Sequence, residues 1–168
     1  MLAPGAARPA ELQEILNDIV EDVNEAIQNA LKLVHSDLGN QNVALYTEFA
    51  PHLPTVNGDG VRLQQVLLNV VVNGCDAMAD VEAVGRRLLV RTELADGKEV
   101  RVSVVDWGRG IPSERIERIF EPFFTTKRNG MGLGLEVYRS FISAHGGRLW
   151  LTDNAERGAT FQFTLPID

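Results

Sequence analysis

Cysteine is nearly absent from this 168-residue chain: Cys75 stands alone, which excludes an internal disulfide and a thiolate metal cluster and suits a reducing compartment. Long apolar runs are missing too. The longest, Val66 to Val72, is interrupted by Asn69 and falls far short of the roughly 18 residues that a membrane helix needs. Positive charge is scarce, with 16 Lys and Arg against 23 Asp and Glu for a net charge of −7 and no basic block to offset it. Binding to nucleic acid or to an anionic membrane is disfavoured on that ground. Residues 1–10 (MLAPGAARPA) have neither the basic start nor the apolar centre of a secretory signal. Rich in Ala and Pro, they read as a disordered lead-in or a cloning remnant. What is present is ordinary globular composition, 45% hydrophobic and 23% charged, at a length that suits one domain over residues 11–168, in the cytoplasm.

Apolar residues recur at helical spacing as Leu12, Ile15, Leu16, Ile19, Val20 and Val23, and again as Ile27, Ala30, Leu31 and Val34. A break near Asp22 or Asn24, either of which can cap, starts a helix running to about Leu38, and Gly39-Asn40 should stop it. Val43 to Phe49 alternates as a strand, and Pro51 to Asp59 reads as a loop. The next helix, Val61 to Met78, is crossed by Arg62, Gln65, Asn69, Asn73 and Asp76 at steps of 3, 4, 4 and 3, which places them in one stripe. Arg87 to Leu94 and Lys98 to Asp106 alternate on either side of Ala-Asp-Gly, a hairpin signal. A short helix near Ser113 to Ile119, a Phe-rich loop, a helix opened by Gly130 to Gly134 and ended by Gly146-Gly147, and strands at Arg148 to Thr152 and Thr160 to Leu165 complete the chain. Helices on a mostly antiparallel sheet in two layers is the expected α+β fold.

Three places carry chemistry. Asn69 and Asn73 lie one turn apart in an otherwise apolar helix, where amides are costly to bury without partners. They bond across the core, lie on a solvated face, or offer amide oxygens to a hard cation such as Mg²⁺. Asp106-Trp107-Gly108-Arg109-Gly110 follows a strand directly: its glycines allow a sharp turn and close approach of a planar ligand, and Asp106 can accept a hydrogen bond from an exocyclic amine such as that of adenine. An Asp-x-Gly turn after a strand is also a common structural device. Asn129-Gly130-Met131-Gly132-Leu133-Gly134 opens a helix, so exposed backbone N–H groups and the helix's positive end suit phosphates, with Lys127 nearby to neutralise charge. Its spacing is not that of a dinucleotide fingerprint, and neither a G-x-x-x-x-G-K-S/T loop nor an H-R-D or D-F-G motif occurs. Between the glycine sites, Phe120, Phe123 and Phe124 read as core anchors that also fix the hinge of a flap.

Together these residues resemble the catalytic ATP-binding domain of bacterial sensor histidine kinases, of the GHKL superfamily. QVLLNVVVNGCDAM is similar to its N box, DWGRG to its first glycine box, IFEPFFTTK to its F box, GMGLGL to its second glycine box and GATFQFTLP to its closing strand, in the family's order over roughly Val20 to Pro166. The resemblance implies the Bergerat two-layer α/β sandwich, with a mixed sheet of about five strands under three helices, binding ATP with Mg²⁺. It implies Asn73 as metal ligand with Asn69 assisting, Asp106 on the adenine amine, Gly108 and Gly110 shaping that pocket, and Thr160 reaching the adenine through water. It further implies Gly130, Gly132 and Gly134 as lid hinges around Leu133, and Lys127 at the phosphates. The stretch between Phe124 and Gly130 implies a short lid.

Two departures bear on mechanism. Many relatives carry a phosphate-contacting Lys three residues beyond the N-box Asn, where this chain has Asp76. ATP-hydrolysing members place a Glu general base where this chain has Asn69, and an amide cannot accept the proton of an attacking water. That favours transfer to a protein acceptor over hydrolysis by a GHKL ATPase; a serine kinase of the anti-sigma-factor type is the other alternative. Of His35, His52 and His145, none is placed as a phosphoacceptor, so the implied acceptor is a dimerising helical hairpin outside the chain. A response regulator would act downstream, the parent would be a homodimer, membrane-anchored or not, and this piece a monomer. Glu11 to Val23 is either the tail of that hairpin or a first strand.

Overall fold

Residues 20–118, 134–154 and 157–167 are described by the computed structural model of the chain. They form, in order, β1 (Val20–Glu21), α1 (Val23–Asn40), β2 (Ala44–Phe49), β3 (Val56–Asn57), α2 (Gly60–Ala77), a 3-10 turn (Ala83–Gly85), β4 (Arg87–Ala95), β5 (Glu99–Asp106), the one-turn α3 (Ser113–Ile116), α4 (Gly134–Ala144), β6 (Arg148–Asp153) and β7 (Ala159–Pro166). The fold is α+β, as expected, with one long mixed sheet beneath the helices.

Asp22 starts α1, its side chain accepting the Glu25 N–H at 3.2 Å. The helix then buries Val23, Ala26, Ile27, Ala30, Leu31, Val34 and Leu38, a three-and-four spacing that makes one apolar face. Gly39-Asn40 does not stop it: both residues stay helical, and the chain turns at Asn42, whose φ of 57° is left-handed. Asp59 caps α2 in the same way through the Val61 N–H at 3.0 Å. This helix contains Val66, Val70 and Val71, which disfavour helix by a few tenths of a kcal/mol each. Burial decides otherwise, because Val66, Leu67, Val70 and Val71 are at most 1% exposed and each such side chain contributes roughly 1.5–3 kcal/mol.

The five strands run in the order β2-β4-β5-β7-β6, with β2 parallel to β4 and every other pair antiparallel. The β4–β5 hairpin closes at Asp96 and Gly97, with φ of 54° and 67°, and the Lys98 N–H donates to the Ala95 carbonyl at 3.1 Å. Two positive φ angles at the centre of the turn match the right-handed twist of the flanking strands. Leu88, Val90, Val100, Val102, Val104, Phe161, Phe163, Leu149 and Leu151 fill the helix-facing side, alternating with residues on the other face. α1 packs on α2, α2 lies over β5, and α4 lies over β6.

The Pro51 to Asp59 loop is not wholly irregular: β3 within it pairs antiparallel with β1, as Val20 with Asn57 and Glu21 with Val56. Val20–Glu21 is therefore strand, while residues 11–19 of the segment left open above lie outside the described residues. Arg86 fastens the far end of α2. Its guanidinium donates to the carbonyls of Val81 at 2.8 Å, Gln41 at 2.8 Å and Ala79 at 3.2 Å, joining the ends of α1 and α2 to the start of β4.

Candidate functional site

The site begins where α2 crosses the ends of β4 and β5. Gly74 makes the crossing close, since a Cβ there would meet Leu88 Cδ1 at 2.9 Å and sit 3.9 Å from Asp106 Oδ2. Asn73, its neighbour, and Asn69 one turn back are half-buried, and the Asn73 Nδ2 donates to Asn69 Oδ1 at 3.0 Å. That bond fixes which end of the Asn73 amide is nitrogen and turns its oxygen to the opposite side. Asp76 is also half-buried. The first two members of the stripe leave the site: Arg62 and Gln65 are exposed, and the Arg62 guanidinium lies over the Phe141 ring, 5.9 Å from its centroid. Cys75 is buried, and its thiol is pushed up to about 11 by burial first and by the charge of Asp76 next, so it stays a protonated core residue.

Asp106 ends β5 with 3% of its surface exposed. Its Oδ1 accepts two backbone N–H groups, from Gly108 at 2.9 Å and Ala159 at 3.2 Å. Its Oδ2 accepts no hydrogen bond among the described residues. Burial holds this carboxyl above the ordinary carboxylate range; the two N–H bonds pull it back down, and the nearby charge of Asp153 pushes it up.

The glycines of the turn have reasons inside the protein. A Cβ on Gly108 would lie 2.6 Å from the carbonyl oxygen of Ala77 at the end of α2, and that same carbonyl accepts the Arg109 N–H at 3.2 Å. Gly110 has a φ of 74°, and a Cβ there would lie 2.4 Å from Asp153 Oδ1. The close approach inferred from sequence is thus made by α2 and by a second carboxylate.

Thr160 stands apart. It pairs with Val105, and Asp106 with Leu88, so the strand alternation puts Thr160 and Asp106 on opposite faces of the sheet. Its hydroxyl donates to Asn154 Oδ1 at 2.7 Å, and Ala159 is the β7 residue beside Asp106. This corrects the expectation that Thr160 reaches the base. Lys127, Gly130, Gly132, Leu133 and the phenylalanines lie outside the described residues, and Gly134 is the first residue of α4.

Sequence reasoning missed Gly158 and Asp153. Gly158 has a φ of 83°, and a Cβ on it would fall 1.9 Å from the carbonyl oxygen of Asp106, so the start of β7 rests directly on the site. Its place before Ala-Thr-Phe was visible, but no local pattern says which distant backbone it touches.

A family model described as histidine kinase-, DNA gyrase B-, and HSP90-like ATPase matches residues 58–168. Sensor protein TdiS of Thauera aromatica is 41% identical over 148 residues, 88% of this chain and 27% of the relative. Sensor protein FixL of Bradyrhizobium diazoefficiens is 42% identical over 147 residues, 88% of this chain and 29% of the relative. The chain thus spans under a third of the length of these curated relatives. Among solved structures, the nucleotide-free catalytic domain of histidine kinase ThkA aligns with a TM-score of 0.78 at 35% identity, covering 89% of this chain and 95% of that one. ThkA in complex with the response regulator protein TrrA aligns at 0.76 and 32% identity, covering 95% of this chain and 47% of that one.

Proposed function

The chain belongs to the histidine kinase-, DNA gyrase B-, and HSP90-like ATPase family, as a catalytic ATPase domain of the sensor histidine kinase kind, and from that premise we propose that it binds Mg-ATP and transfers the γ-phosphoryl group to a histidine on a helical hairpin outside this chain. The observation that carries the reading is Asp106. A buried carboxylate with Oδ1 tied to two backbone amides and Oδ2 without a hydrogen-bonded partner is an acceptor held in place for a donor that the described residues do not supply. The adenine amine is such a donor, whereas guanine presents a carbonyl at the same position and is repelled.

The Asn pair fits a magnesium ion by its donor chemistry, since amide oxygens are hard ligands and Asn69 fixes the orientation of Asn73. Bound magnesium supplies charge neutralisation at the phosphates. The chain's own residues do the rest: Asp106 selects the base, Gly108 and Gly110 let the turn close beneath it, and Asn73 with Asn69 hold the metal. Lys127 meets the phosphates, with Gly130, Gly132, Leu133 and Gly134 forming the lid hinge. Catalysis of this kind is positioning and electrostatics, with no covalent step on this chain. Asn69 has no proton-accepting pKa, which directs the phosphoryl group to a protein acceptor instead of water.

In this reading residues 11–168 are one cytoplasmic catalytic domain, the parent protein is a homodimer through its hairpin, and a response regulator takes the phosphoryl group onward. No helix among the described residues is long and apolar enough to cross a membrane. Incubation with γ-labelled ATP tests the division of labour. The chain should bind ATP in the presence of Mg²⁺ and retain no label; stable phosphate on the chain itself would place an acceptor within it and overturn the reading.

A further inference from the structure

Asp153 closes β6, and its carboxylate bears on the last step of the turn that follows Asp106. Its Oδ1 accepts the Ile111 N–H at 3.1 Å, and a Cβ on Gly110 would come within 2.4 Å of that same oxygen. Gly110, at a φ of 74°, therefore makes room for a carboxylate of the protein itself. The register explains the placement. Asp153 pairs with Ala159 across β6 and β7, and the Ala159 N–H donates to Asp106 Oδ1, so two carboxylates flank one small residue in a row across three strands. Asp106 holds the start of the turn through Gly108, and Asp153 holds its end through Ile111. Asn154 fastens the strand end behind it, donating its N–H to the Gly158 carbonyl at 2.9 Å and accepting from the Thr160 hydroxyl at 2.7 Å.

We propose that Asp153 is a positioning residue of the nucleotide pocket: by accepting the Ile111 N–H it fixes the path of residues 107–111 against the base that Asp106 selects. The inference rests on the reading of Asp106 given above. With the middle of the turn already held by the Arg109 N–H on the Ala77 carbonyl, loss of the Ile111 bond frees its far end, and ordering that end then opposes binding. What the position requires is an acceptor at one place, more than a charge. Asparagine meets that requirement, alanine removes it, and glutamate keeps the charge but displaces the acceptor by one methylene.

The test uses Asp153→Ala, Asp153→Asn and Asp153→Glu in the 168-residue chain, titrated with ADP and with a non-hydrolysable ATP analogue in the presence of Mg²⁺. Alanine and glutamate should weaken both ligands by the same factor, roughly 5- to 10-fold, the effect of one lost hydrogen bond. Asparagine should remain within about twofold of wild type. Amide exchange in the ligand-free protein gives an independent reading: the Ile111 N–H should lose protection in the alanine and glutamate variants and keep it in the asparagine variant. Wild-type affinity in the alanine or glutamate variant, an asparagine variant as weak as alanine, or unchanged Ile111 exchange would each overturn the proposal. A wild-type chain that binds neither nucleotide overturns the reading of Asp106 instead, and the Ile111 exchange still decides whether Asp153 holds the turn.

Discussion

Asp106→Asn should raise the melting temperature of the ligand-free chain at neutral pH while lowering its affinity for ATP by roughly 100-fold or more. Both effects come from one carboxylate. Asparagine keeps an oxygen for the Gly108 and Ala159 N–H groups, so the scaffold of the turn survives. It removes a charge that burial penalises, and each 1 kcal/mol relieved raises the melting temperature of a domain this size by about 2–4 °C. It also exchanges the acceptor at Oδ2 for an N–H donor, which faces the adenine amine donor to donor. The sign of the pH dependence follows from the raised pKa. The folded chain binds more protons than the unfolded chain between the ordinary carboxylate value and the raised one, so wild-type stability grows as pH falls through that window. The thermal advantage of the variant is then greatest above that window and shrinks as pH falls through it. Scanning calorimetry at several pH values, paired with ATP titration, checks both halves. A variant that melts lower and binds ATP as wild type does would remove Asp106 from its role.

Gly158→Ala carries the second large effect, and here stability and binding fall together. The residue has a φ of 83°, where an L side chain is strained, and its Cβ would overlap the Asp106 carbonyl oxygen at 1.9 Å and press on Oδ1 at 3.0 Å. Relief requires β7 to move away from β5 at the point where the Ala159 N–H reaches Asp106. Strain and the lost bond together should cost about 3–4 kcal/mol in chemical denaturation. ATP affinity should drop with it, since the carboxylate loses one of its two backbone tethers. Unchanged stability would mean that the start of β7 does not rest on Asp106.

Much of this fold could be read from the chain because its signals are local. Asp22 before apolar periodicity, the helical spacing of Val61 to Met78, and Asp96-Gly97 between alternating runs are short-range signals, and α1, α2 and the hairpin appear where those signals put them. The asparagine pair was legible for the same reason, as a polar interruption one turn long in an apolar helix. What stayed hidden depends on pairing between distant strands. The β1–β3 pair is two residues long and shows no alternation. Thr160 was assigned to the base from its motif, but only the β5–β7 register reveals that it faces away and that Ala159 stands beside Asp106. Asp153 is an ordinary strand-ending residue until β7 is placed between β6 and β5.

The central claim is that a magnesium-bound adenine nucleotide sits between the Asn69–Asn73 pair and the carboxylate of Asp106. A crystal structure of the 168-residue chain grown with Mg²⁺ and a non-hydrolysable ATP analogue tests it most directly. The account predicts the adenine amine within hydrogen-bonding distance of Asp106 Oδ2 and a metal ligated by the Asn73 amide oxygen. A nucleotide bound elsewhere, or a base turned away from Asp106, would contradict it.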